Sequence, residues 1–167
     1  MNNFKVTVKR KIINKKLIDD ICKLKNQSWN YGLKNQRKWF SKNIKKDDLH
    51  LILKDKFKLI GYVLLRKRSF LIKDKILGKY FFFDTLIISD IYRNNKLSKL
   101  IMDRSNKIIC SKKKFGVLMC KKKMINFYKK FNWVINEKIN VINSKKNKTI
   151  MTYNAKNISR VKIDINN

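Results

Sequence analysis

Apolar and polar residues alternate from Phe4 to Lys9, the pattern of a half-buried strand. The period then lengthens. Leu17, Ile18, Ile21, Cys22 and Leu24 form a helical stripe that Asn14 can cap and that ends before Gly32. A shorter helix is predicted over 35–44, with Trp39, Phe40 and Ile44 inward. Strands follow at 49–54 and 59–67, joined by the polar turn Lys54-Asp55-Lys56, with Gly61 marking a bulge. Tyr80 to Ser89 is apolar on both alternating faces, as a central strand covered on two sides should be. Helical spacing returns over 96–110 through Leu97, Leu100, Ile101, Ile108 and Ile109. A short buried strand at 115–120, a short helix at 124–131 and late strands at 133–136 and 149–153 complete the order β-α-α-β-β-β-α-β-α-β-β. That order predicts an α+β fold with mixed strand pairing.

Composition adds limits. At 167 residues and 44% hydrophobic, the chain suits one domain with a sizeable core. No linker rich in Pro, Gly or Ser interrupts it, so residues 1–154 are expected to form that domain and 155–167 a polar C-terminal tail. With one His, a multi-His metal site is excluded, and a His-based triad has only His50, which alternates with Leu49 and Leu51 as a structural residue would. No CxxC pair offers a zinc knuckle or redox dithiol. Cys22, Cys110 and Cys120 are odd in number and scattered, which suits a reducing cytosol, and each is expected to be a small buried residue. Lys or Arg recurs every few positions, so no stretch reaches the ~20 apolar residues of a membrane span. The N-terminus has no apolar core of a secretory signal. The expected location is the cytoplasm.

The 43 Lys and Arg against 11 Asp and Glu give a formal charge of +32, which invites a polyanionic partner. Lys, Asn and Ile are abundant along the whole chain, Pro is absent and Gly numbers 4, as an AT-rich coding bias would produce. Runs such as 112–114 and 121–123 then read as solvated rims. Charge placement separates the two readings: a nucleic-acid binder gathers its cations on one face with exposed aromatics, whereas a biased enzyme scatters them.

The segment from Leu86 through Ile88, Ser89 and Arg93 to Ile101 turns a buried strand into a helix within a few polar residues. Backbone N–H groups of the first helical turn are then free for an anion. Arg93, Asn94, Asn95, Lys96, Leu97 and Ser98 resemble motif A of the GNAT superfamily of N-acetyltransferases, which wraps the pyrophosphate of acetyl-CoA. Lys96 and Ser98 stand where that family usually has glycines, and Lys96 either adds charge to the phosphates or crowds the loop. Ile125 to Trp133 is similar to the end of motif B, with Asn132 in place of Gly. Asn is the common non-Gly residue able to adopt a left-handed conformation after a helix. Leu59-Ile60-Gly61-Tyr62-Val63 resembles the family's third strand.

The resemblance implies a mostly antiparallel central sheet flanked by helices and splayed at the central strand, opening after Ser89. It implies an acetyl-CoA-dependent N-acetyltransferase acting on a small amine, with an amino sugar or sugar nucleotide as the favoured acceptor. Leu86, Ile87 and Ile88 would pair with the pantetheine amides, and Arg93, Asn94, Asn95, Lys96, Leu97 and Ser98 would hold the phosphates. Tyr128 would touch the cofactor and protonate the departing thiolate. Asp84 matches a carboxylate position of the central strand and would take the amine's proton, its pKa raised by apolar surroundings unless paired. Trp29, Tyr31, Arg37 and Trp39 would wall the acceptor site. The alternatives are a basic nucleic-acid or tRNA-binding module and an RNA-directed acetyltransferase on the same fold.

Overall fold

A computed structural model describes residues 4–11, 14–73, 75–93, 96–142, 148–155, 158 and 160–165. In chain order the elements are β1 (Phe4–Lys9), α1 (Lys15–Ser28), α2 (Leu33–Asn43), β2 (Leu49–Asp55), β3 (Lys58–Ile72), β4 (Lys75–Ile88), α3 (Leu97–Ser111) and β5 (Gly116–Cys120). After these come α4 (Ile125–Lys129), β6 (Val134–Ile135), β7 (Ile139–Ile142), β8 (Thr149–Tyr153) and β9 (Val161–Asp164). The nine strands pair in the order β1-β2-β3-β4-β5-β8-β6, with β9 joining β3 and β7. Most described pairs are antiparallel; β4–β5 and β7–β9 are parallel. This is the mixed, mostly antiparallel α+β architecture expected. The pairing of β4 with β5 covers Phe81–Gly116 and Phe82–Val117, so these strands part after Phe82, well before the opening expected after Ser89.

The chain divides into two compact units, residues 1–66 with 84–105 and residues 67–83 with 106–167. In the first, α1 begins at Asn14, whose side chain accepts from the Leu17 N–H at 3.1 Å, and presents Ile21, Cys22 and Leu24 to the sheet. They pack with Phe40 of α2, Ile52 of β2, Tyr62 and Leu64 of β3 and Ile87 of β4. Leu51, Leu53, Val63 and Leu65, on the other side of the pleat, are also fully buried, so β2 and β3 are covered on both faces. Leu53 pairs with Gly61 and Lys54 with Leu59, which leaves Ile60 as the extra residue of a bulge beside Gly61. A Cβ on Gly61 would lie 2.7 Å from Ile88 Cδ1, so the glycine sets how closely these strands approach.

In the second unit Tyr80, Phe82, Phe115, Val117, Ile139, Val141, Val161 and Ile163 form the core. Val161–Asp164 corrects the tail expectation: part of 155–167 is strand β9, in parallel register with β7. Val161 and Ile163 are buried while Lys162 is exposed, so four alternating residues suffice once β7 offers an apolar partner. Neither β7 nor β9 was foreseen. Cys110 is a further correction: it is exposed on α3, its Sγ 3.6 Å from Tyr153 Oη, whereas Cys22 and Cys120 are buried.

Candidate functional site

In the first unit, β4 carries Asp84 and then a residue with strained backbone. Thr85 has φ +55, a left-handed conformation that a β-branched residue adopts at a cost of roughly 1–3 kcal/mol. Such strain is held only where the surroundings fix it, and here it lies beside a carboxylate. Asp84 is not the lone buried acid that the sequence suggested. Its side chain is 22% exposed, Oδ2 accepts from Arg66 Nη1 at 3.3 Å, and Oδ1 accepts from Thr85 Oγ1 at 3.2 Å.

Arg66 belongs to a group missed in the sequence. Its side chain is 4% exposed, and its guanidinium carbon lies 5.9 Å from the Trp39 ring centre. Lys25 of α1 places its ammonium 3.5 Å from the same ring centre. Burial lowers the Lys25 pKa to about 8; the Asp84 carboxylate opposes this shift and Arg66 adds to it. Asp84, Arg66, Lys25 and Trp39 thus form one cluster. A signal existed: Lys25 falls in the apolar stripe of Ile18, Ile21 and Cys22, and Arg66 closes the run Tyr62-Val63-Leu64-Leu65. His50 lies behind Phe40, ring against ring at 5.8 Å, with Nδ1 2.7 Å from Tyr62 Oη and a pKa lowered by burial to about 4.

The strand-to-helix turn follows β4. Leu86 and Ile88 are partly buried, whereas Ile87 points into the core. A 3₁₀ turn over Asp90–Tyr92 leads to Arg93, whose Nη2 lies 2.6 Å from Asp90 Oδ1 and 3.2 Å from Ser28 Oγ, beside Trp29. Asn94 and Asn95 lie outside the described residues. Lys96 has φ +53 immediately before α3, so the residue in a glycine position adopts the backbone that glycine would supply, with its side chain exposed. Leu97 is buried and Ser98 partly so.

The four residues expected to wall an acceptor are not brought together. Arg37 donates to Asp19 Oδ1 at 2.7 Å, while Trp39, two positions on along α2, turns to Lys25. Tyr31 is 67% exposed, and Trp29 packs against the core while its carbonyl accepts from Gln36 Nε2. One face of Trp39 is already occupied by the Lys25 ammonium, so that face is closed to a sugar ring.

In the second unit Tyr128 sits on α4 among the rings of Phe83, Phe127 and Trp133, with centroids 5.0–6.5 Å away. Burial raises its phenol pKa, and Cys120 adds to the shift. Asn132 has φ +62, the left-handed turn expected after this helix. It lets Trp133 enter the core fully buried, with Nε1 donating to Asn106 Oδ1 at 3.1 Å. A Cβ on Gly116 would meet Trp133 Cη2 at 2.8 Å.

No family model matches the sequence, and no curated protein matches it. Solved structures do match. The GNAT-family N-acetyltransferase YhbS from Escherichia coli, in complex with CoA, superposes with a TM-score of 0.71 at 11% identity over 98% of this chain and 90% of that one. The chain has the GNAT fold. PaiA N-acetyltransferase from Thermoplasma acidophilum, in complex with coenzyme A, matches with a TM-score of 0.58 at 16% identity, covering 89% of this chain and 98% of that one. An aminoglycoside 6'-N-acetyltransferase complexed with coenzyme A matches at 0.66 and 13%, covering 88% and 96%. Among the described residues, no helix is long and apolar enough to cross a membrane.

Proposed function

We propose that the chain transfers an acetyl group from acetyl-CoA to the amine of a small molecule. The observation that carries this reading is Lys96 at φ +53 at the head of α3, in a chain with the GNAT fold. At Lys96 the backbone has a conformation that glycine adopts readily, although the glycine is gone. The residues from Arg93 to Ser98 hold the pyrophosphate, with Asn94 and Asn95 among them, and Leu86, Ile87 and Ile88 offer backbone groups to the pantetheine arm. The three neighbours with bound coenzyme A support the donor, and the one of them named for an aminoglycoside supports, more loosely, an amino sugar or sugar nucleotide as acceptor.

The acceptor nitrogen attacks the acetyl carbonyl, the C–S bond breaks, and the sulfur leaves as a thiolate. Tyr128 is the proposed acid for that sulfur. Its raised pKa keeps the proton on the phenol at neutral pH, so transfer is concerted with C–S cleavage rather than a prior ionisation. Asp84 is the proposed acceptor of the amine's proton, directly or through a water. Arg66 and Lys25 beside it favour the approach of a neutral amine over an ammonium ion. Of the aromatics expected at the acceptor site, Tyr31 is the most accessible for stacking, with Trp29, Arg37 and Trp39 contributing less directly.

Calorimetric titration with CoA, followed by thiol release from acetyl-CoA across a panel of amines and amino sugars, tests the reading. Saturable CoA binding and amine-dependent thiol release are expected. No binding at millimolar CoA overturns it.

A further inference from the structure

Where α1 begins and α2 ends, a cavity of about 910 Å³ opens within the first unit. Seven of its twelve lining residues are Lys or Arg, against 43 of 167 in the chain, so the cations are gathered here and not merely sampled from a basic composition. Among the described lining residues the one acid, Asp19, is tied to Arg37. Arg10, Lys11, Lys15, Lys38, Lys45 and Lys46 are the remaining cations, and among the described residues no ion pair involves any of them. Arg10, Lys11 and Lys15 cluster at the start of α1, the end where helix electrostatics disfavours cations, and the first turn holds no acid. Folding alone gives no reason for that placement. Ile18, Phe40 and Ile44 supply an apolar floor. The volume is in the ~300–1,000 Å³ range of small-molecule sites.

We propose that this cavity binds a small molecule carrying two or more phosphate groups, at a site that shares no residue with the Asp84 cluster. A nucleic acid strand is the less suitable occupant. It needs a groove along which its backbone runs and exposed rings for its bases, and among the described lining residues the only aromatic, Phe40, is 6% exposed.

The test uses the full chain and inorganic tripolyphosphate, titrated calorimetrically at about 50 and about 200 mM salt. One molecule should bind per chain, more weakly at the higher salt, and saturating CoA should leave this binding in place. The triple variant Lys15→Glu/Lys38→Glu/Lys45→Glu should weaken it about tenfold or more, since each reversed charge removes one attraction and adds one repulsion. Lys112→Glu/Lys121→Glu/Lys122→Glu changes net charge equally and should stay within about twofold of wild type. CoA affinity should be unchanged in both triples. If the first triple fails to fold, Lys45→Gln/Lys46→Gln provides the milder reading and should still weaken binding severalfold. Equal losses in both triples, absence of a saturable isotherm or displacement by CoA would each refute the proposal. So would an oligouridylate that binds more tightly than tripolyphosphate and is lost in the first triple, which would make this a nucleic-acid site.

Discussion

Ile163→Ala should destabilise the protein by about 2–3 kcal/mol. Ile163 is fully buried on β9, against a cluster that includes Phe82, Phe115 and Val141. The substitution removes three carbons, worth ~0.8 kcal/mol each in transfer alone. A cavity term carries such changes to ~2–5 kcal/mol. The lower half of that range applies because β9 has only four residues and can relax inward. Its neighbour Lys162 faces solvent, where losing a side-chain contact costs ~1 kcal/mol or less, so Lys162→Ala should destabilise far less than Ile163→Ala. Urea unfolding followed by far-ultraviolet circular dichroism measures both; with a slope of ~1–3 kcal/mol/M, the Ile163→Ala midpoint should fall by about 1 M or more. A polar tail predicts no change for either residue. If Ile163→Ala unfolds at the wild-type midpoint, β9 does not close the second core.

Tyr128→Phe keeps the ring contacts with Phe83 and Trp133, so melting should change little while kcat falls ~10²–10⁴-fold with KM for acetyl-CoA nearly constant. Unchanged kcat assigns Tyr128 to the core. Asp84→Asn should lower the rate most near neutral pH and recover part of it at high pH, where more of the acceptor is already unprotonated; a uniform loss across pH would remove Asp84 from proton transfer. Lys96→Gly should weaken CoA binding, because the backbone already has the glycine conformation and the exposed ammonium is all that is lost. Tighter binding in the calorimeter would mean that the side chain crowds the loop.

Most of the first unit was legible because its elements are long enough for their period to show. Asn14 capped α1 as read, and the strand pair around Gly61 emerged with its bulge. Asn132 and Lys96 were placed by motif position, and their left-handed backbones agree with residues standing in for glycine. What failed was short or relational. β7 and β9 each have four residues, too few for alternation to stand out among Lys and Asn. Trp39 and Arg37 are two positions apart on α2, so their shared proximity in sequence hid opposite surroundings. The ion pair of Arg66 with Asp84 joins two strands, and nothing in either segment alone specifies it.

The Lys25 ammonium gives a prediction in which the sign decides. Its pKa falls from 10.5 to about 8 on folding, chiefly through burial. Between those values the unfolded chain holds the proton and the folded chain does not, so this residue's contribution to stability rises with pH across the window. Below pH 8 both states are charged and the full penalty, roughly 3 kcal/mol, is present. The Trp39 ring returns part of it, since a desolvated cation–π contact is worth ~1–2 kcal/mol. Lys25→Met keeps the stem's packing and removes the charge, so it should stabilise the protein by about 1–2 kcal/mol at pH 7. The advantage should shrink steadily above pH 8. Taking the difference between variant and wild type at each pH cancels titrating groups that do not interact with Lys25, such as Tyr62, whose raised pKa lowers stability as pH climbs. Cys22 does interact with the ammonium, and its thiol pKa should rise further in the variant. Urea midpoints from pH 7 to 10 would show it. A variant that is less stable at pH 7, or a difference that is flat with pH, would mean that Asp84 and Trp39 hold the ammonium better than its burial penalises it. Lys25 would then be a structural cation, and Asp84 would keep two cationic neighbours, Arg66 and Lys25, across that pH range.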